Sequence, residues 1–176
     1  MANQKWNFDP AHSTVGFSAR HMMITKVTGR FKSWSGTLEF DPSNLASTKL
    51  SAEIDAASVD TQDEKRDGHL KSADFFDVEK FPKLTFAGTK VESSGKGKAK
   101  VTGDLTIHGT TRAVTLDVEY SEPTKDPWGG ERVGIEARTT INRKDFNLNW
   151  NVALEAGGIL VSEKIQIELD VQATKA

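Results

Sequence analysis

Apolar and polar residues alternate along most of the chain. Val15, Phe17, Ala19, His21 and Met23 form one row, and Thr14, Gly16, Ser18, Arg20 and Met22 form the other. A period of two sends successive side chains to opposite faces of a sheet. The first row continues through Val27, Gly29 and Phe31, whereas Trp34, Leu38 and Phe40 fall on even positions. That switch near Ser33-Trp34 predicts a bulge or bend. Further rows are Leu50, Ala52, Ile54 and Ala56; Leu84 and Phe86; Val101, Leu105 and Ile107; Val114, Leu116, Val118 and Tyr120; Val133, Ile135, Ala137, Thr139 and Ile141; and Ile165, Ile167, Leu169 and Val171. The pattern predicts about eight strands, each apolar on one side and polar on the other, as antiparallel sheets are.

Turn chemistry separates the strands. Ser93-Ser94-Gly95-Lys96-Gly97-Lys98 reads as a polar hairpin tip, and His108-Gly109, Lys125 to Gly130 and Gly157-Gly158 as turns. One segment, Ser58 to Asp77, breaks the alternation. Asp60 is placed to N-cap a helix with Glu64 in its first turn, Gly68 to interrupt or C-cap it, and Ser72 or Asp74 to start a second turn carrying Phe75 and Phe76. One or two short helices are expected there. Periodicity leaves a sandwich and a closed barrel both standing. An eight-stranded barrel has an interior that side chains fill or one small ligand occupies.

The chain has 176 residues, about one ordinary domain, so 1–176 is read as a single unit. It carries 23 Lys and Arg against 25 Asp and Glu, so no basic field exists to hold nucleic acid. No stretch approaches the ~18 apolar residues of a membrane-spanning helix, and the Met1 start lacks an apolar leader. The expected location is therefore cytoplasmic, or periplasmic if a signal has been removed. Cysteine is absent, which removes disulfides, thiolate nucleophiles and Cys-ligated zinc.

Little points to chemistry. His12, His21, His69 and His108 show no metal-ligand spacing, so neither a metal nor a cofactor is expected. Ser13 follows His12, but adjacent strand residues face opposite ways and cannot form a nucleophile–base pair. The acidic residues from Asp60 to Asp77 are interleaved with Lys65, Arg66 and Lys71, as on a solvated helix face. An enzymatic alternative would pair His21 with a carboxylate such as Asp67 as acid and base on a lipid substrate. The aromatics, nine Phe and four Trp, sit mostly at apolar positions. They fit ordinary core packing or the lining of an apolar cavity.

The order of motifs resembles the YceI-like family of lipocalin-like, polyisoprenoid-binding proteins. The resemblance rests on Trp6-x-Phe8-Asp9-x-x-His12-Ser13-x-Val15-x-Phe17-x-x-x-His21 and Gly29-x-Phe31. It continues with Arg66-Asp67-x-His69-Leu70-x-Ser72-x-Asp74-Phe75-Phe76-Asp77, Phe81-Pro82-x-Leu84-x-Phe86 and Gly103-x-Leu105-Thr106-Ile107-x-Gly109-Thr110-Thr111. The last pieces are Asn142-Arg143-x-Asp145-Phe146-x-x-x-Trp150 and Val161-Ser162-x-x-Ile165. Asn147 stands where the family often has Gly, and Ser162-Glu163 where it often has Gly-Asp. Asn tolerates a left-handed turn, so the backbone is expected to survive.

The resemblance implies an all-β fold, an extended antiparallel eight-stranded lipocalin-like barrel around an elongated apolar cavity. It implies a binding or carrier protein, not an enzyme, holding an isoprenoid such as a polyprenyl phosphate or a quinone tail. With the inward rows above, the ligand-binding candidates are Phe17, Ala19, His21, Phe31, Trp34, Leu38, Phe40, Ile54, Phe75, Phe76, Leu84, Phe86, Val101, Leu105, Ile135 and Trp150. Arg20, Arg30 and Arg66 are the candidates for a head group at the barrel mouth. A homodimer through an exposed final strand is a further expectation.

Overall fold

The rows alternate because each strand meets hydrocarbon on one side and water on the other. The computed structural model describes residues 3–152, 154 and 160–176. Its strands are β1 (Gln4–His21), β2 (Thr25–Phe31), β3 (Trp34–Phe40), β4 (Lys49–Asp55), β5 (Val59–Asp60), β6 (Lys83–Gly95), β7 (Lys98–Ile107), β8 (Thr110–Tyr120), β9 (Thr124–Lys125), β10 (Glu131–Asn142) and β11 (Lys164–Lys175). Eight of these close a ring in the order β1-β3-β4-β6-β7-β8-β10-β11, with β11 pairing back onto β1, all antiparallel. The fold is therefore the extended eight-stranded barrel, not a sandwich. At one end β2 pairs with the second half of β1 and β5 with β2, which raises the wall. Along β7, Ala99, Val101, Leu105 and Ile107 are buried while Lys98, Lys100 and Asp104 are exposed.

The breaks in parity have physical causes. β2 and β3 are separated at Lys32-Ser33, where the sequence switches rows. A second switch divides Trp6 and Phe8 from Val15 and Phe17. There the β1–β11 register slips between Asp9 and Thr14, and the Ser13 hydroxyl accepts the Gln172 N–H at 3.0 Å to repair the ladder. His12 belongs to this irregularity, with Nδ1 2.8 Å from Asp9 Oδ2. Hydrogen bonds from His12, then Arg132, hold the Asp9 carboxyl below its ordinary value. Two expectations are corrected. Met23 does not extend the first row, nor Met22 the other, because they take φ of 62° and 52° and turn the chain. The final strand offers no free edge for a dimer, because β11 is bonded to both β1 and β10.

The segment from Ser58 to Asp77 forms one α-helix, α1 (Glu64–Lys71). Its N-cap is Asp63, not Asp60: the Asp63 side chain accepts from the Lys65 and Arg66 N–H groups. Asp60 instead accepts the Gln62 N–H and pairs with Lys32. Phe75 and Phe76 follow in a run of turns, with the Phe75 N–H bonded to the Ser72 carbonyl and the Phe76 N–H to that of Leu70. Gly68 lies inside α1, where a Cβ would meet nothing within 4 Å. Gly68→Ala therefore removes a helix-interior glycine at no steric cost. It should stabilise the protein by about 0.5–1 kcal/mol, read as a small rise in Tm. An unchanged or lower Tm would mean that α1 is not formed as described.

Candidate functional site

The barrel end carrying α1, β2 and β5 is its upper end. The opposite end is closed by packing: Trp6, Leu38, Phe40, Val133 and Ala173 are buried together, and the Trp6 and Phe40 rings lie 5.3 Å apart. Between this floor and α1 lies a cavity of about 750 Å³. That is the size of a small-molecule site and far beyond the voids of a packed interior.

All sixteen residues singled out in the sequence lie on its wall: Phe17, Ala19, His21, Phe31, Trp34, Leu38, Phe40, Ile54, Phe75, Phe76, Leu84, Phe86, Val101, Leu105, Ile135 and Trp150. Aromatic rings shape it. Phe31 bridges Phe17 at 5.6 Å and Phe76 at 5.7 Å. Under α1, His69 stands edge-on to Phe75 at 5.0 Å and Trp150 at 4.5 Å. Two rings depend on glycine. A Cβ on Gly103 would come within 2.4 Å of the Phe86 ring, and one on Gly29 within 2.5 Å of the Phe17 ring. The strands thus leave bare backbone where an inward-facing ring must lie flat. Other aromatics pack elsewhere: Phe146 is 1% exposed and off the wall, and Phe81 meets His108 edge-on at 4.7 Å.

Charged groups on the wall gather at the upper end, where Arg20, His21, Asp63, Lys65, Arg66 and His69 reach it beside Thr61. Of the three arginines expected at the mouth, Arg20 and Arg66 line the cavity and Arg30 does not. Arg30 sits on the exposed face of β2, opposite Asp60. Arg66 is committed to Thr61, with Nε 2.8 Å from its hydroxyl and Nη2 2.9 Å from its carbonyl. Asp67 is off the wall, its carboxylate accepting the Thr61 N–H and hydroxyl at 2.8 and 2.6 Å. The structure therefore does not assemble an acid–base pair from His21 and Asp67. The His–carboxylate contact present at this end is His69 with Asp74 at 2.9 Å. Among the described residues, no three His, Cys, Asp or Glu gather as metal ligands do.

Among the wall residues not singled out as candidates in the sequence, Arg143 is the buried cation. Arg143 is 2% exposed and sits where the alternating row of β10 would run on past Ile141. Its guanidinium donates to the carbonyls of Leu148, Val161 and Ser162. Burial pulls its pKa below the ordinary guanidinium value, and the charge of Glu163 partly offsets this. The parity of the row was the available signal, since 143 shares it with Val133, Ile135 and Ile141. Asn147 closes the same turn in the left-handed conformation, with φ of 61°. The turn read at Gly157-Gly158 lies outside the described residues.

Comparison with known proteins gives a consistent result. Residues 6–173 match the YceI-like domain. A UPF0312 protein of Staphylococcus epidermidis is 39% identical over 169 residues, 96% of each chain. The crystal structure of a Campylobacter jejuni YceI protein is similar with a TM-score of 0.78 and 34% identity, covering 89% of this chain and 90% of that one. A polyisoprenoid binding domain from Saccharophagus degradans shares the fold at a TM-score of 0.69 and 16% identity, covering 97% and 98%.

Proposed function

The chain belongs to the YceI-like family, and from that premise we propose that its barrel binds and carries a long apolar lipid of isoprenoid type, a polyprenyl phosphate or a quinone tail, without transforming it. The observation that carries the reading is the cavity itself: about 750 Å³, apolar along its length, with its charged groups at the upper end. A tail lies against hydrocarbon while a head group stays at the mouth. Each isoprene unit buried there contributes about 4 kcal/mol gross, before the cost of ordering the chain. Arg20 and Lys65 are the cations available to a head group, since Arg66 is held by Thr61.

The energetics of the empty barrel support an occupant. A lumen of this size left without a guest sets water against an apolar wall, an unfavourable contact. An apolar guest removes that contact, so ligand and fold stabilise each other. The test is organic extraction of the purified protein, followed by mass spectrometry. We expect a long apolar lipid at about one per barrel. After stripping, adding a long-chain ubiquinone should restore a higher Tm by mass action. Protein that yields no lipid, and whose Tm no added isoprenoid raises, would overturn the proposal.

A further inference from the structure

The barrel buries its apolar side chains, with few exceptions. Among the described residues, the large hydrophobics left exposed are Met22, Met23, Ile24, Trp128 and Val152. Four of these five form one patch. Met22, Met23 and Ile24 make the turn between β1 and β2. The Met22 N–H bonds to the Leu160 carbonyl at 2.7 Å, and the Leu160 N–H to the Val152 carbonyl at 2.9 Å. Met23 and Ile24 are 63% and 75% exposed. Trp128 stands alone on the turn before β10, at the lower end.

The patch adjoins the cavity. His21 is bridged to Val161, the Arg20 guanidinium donates to the Ile24 carbonyl, and Arg20, His21, Leu160 and Val161 all line the cavity wall. The residues that hold the patch are thus the residues that frame the mouth. Cations flank it: Arg20 and Lys26 are exposed partners across the β1–β2 ladder, and Lys65 is exposed on α1. Of the acids at this end, Asp63 is the helix N-cap and Glu163 pairs with Lys144, while Glu64 is exposed beside Lys65.

We propose that this patch is a membrane-docking surface, which seats the barrel mouth on a bilayer containing anionic lipid. The inference rests on the carrier reading, and it adds where the cargo is taken up and released. Area favours a bilayer over a second protein. Four partly exposed side chains amount to a few hundred Å² of apolar surface, below the ~800 Å² per partner of a stable protein interface. Attachment to a bilayer needs no complementary partner. Its strength follows the inserted apolar area plus the attraction of nearby cations to anionic head groups. A lipid passing from bilayer to cavity across this contact keeps its tail away from water.

The experiment is co-sedimentation of the full chain with vesicles of phosphatidylcholine and phosphatidylglycerol. Met23→Asn with Ile24→Asn changes only exposed side chains, and Asn tolerates the left-handed turn at 23. We expect this variant to partition about ten-fold or more weakly, from the apolar area lost. Trp128→Asn at the far end should partition like the parent. Lys26→Gln, or omission of phosphatidylglycerol, should weaken binding about five-fold. Binding of ubiquinone in detergent solution should be unchanged in all of them, so failure of the carrier reading is seen separately from failure of docking. A parent protein that does not sediment with vesicles, or a double variant that sediments equally well, overturns docking. A stable dimer that the double variant abolishes would make the patch an interface between copies and also overturn it.

Discussion

Phe86→Asp is expected to abolish lipid retention while leaving the barrel folded. Phe86 is 9% exposed, lines the cavity and lies over Gly103. A carboxylate there meets a lumen that water can enter once no apolar guest excludes it. The charge can therefore be hydrated, where the same group in a closed core would be stranded. The guest loses the ring as a contact and gains a hydrated anion beside its tail, a loss of about 3 kcal/mol or more and at least a hundred-fold in affinity. Some stability is lost with the ring, so Tm falls, but circular dichroism should still report the β-barrel. The contrast is Phe146→Asp. Phe146 is 1% exposed and packs with the core off the wall of this cavity, so its replacement by a carboxylate removes a packed ring from the core and the variant should fail to fold. Bound lipid and melting are measured on the same samples. A folded Phe86→Asp protein that retains its lipid removes Phe86 from the binding wall; a Phe146→Asp protein as stable as Phe86→Asp removes the distinction between wall and core.

The wall was legible in the sequence because a closed antiparallel barrel converts period two directly into inside and outside. Val101, Leu105, Ile135 and Ile54 need nothing beyond their place in an alternating row, and the structure puts each on the cavity. Where the chain leaves that period, local signals compete. Asp60 and Asp63 both have the chemistry of an N-cap. The choice of Asp63 is tertiary, since Asp60 is drawn to Lys32 on the neighbouring strand. Met22 and Met23 carry the hydrophobicity of a strand row, and no residue in the Met22-Met23-Ile24 stretch marks the turn. The closure of β1 onto β11 joins residues more than 140 positions apart, a pairing that periodicity permits but does not specify. Arg143 was passed over because patterns of burial are read from apolar residues, and a buried cation breaks that rule unless its hydrogen bonds are known.

Those hydrogen bonds make Arg143 the second position of large expected effect. Leu148, Val161 and Ser162 meet at the upper end of the barrel, and their three carbonyls accept from one guanidinium. The Arg143 backbone adds to this, its N–H bonded to the Glu163 carbonyl and its carbonyl accepting the Leu148 N–H. No carboxylate lies within ion-pair distance of the guanidinium among the described residues; Glu163 is instead 2.9 Å from Lys144. The charge is held by backbone dipoles, which only a planar fork of donors can reach together. Arg143→Met takes this donor from the Leu148 and Ser162 carbonyls, while Val161 keeps the Asn151 amide; at about 1–3 kcal/mol for each acceptor that stays buried, a loss of about 2 kcal/mol or more is expected in denaturant unfolding. Arg143→Lys keeps the charge but supplies a single point donor, and it should recover less than half of that loss. The segment also frames the mouth through Leu160 and Val161, so amide exchange at Met22, bonded to the Leu160 carbonyl, should speed up in both variants before the barrel strands respond. A lysine variant with parental stability and parental exchange at Met22 would show that charge alone, without the fork, holds the segment in place.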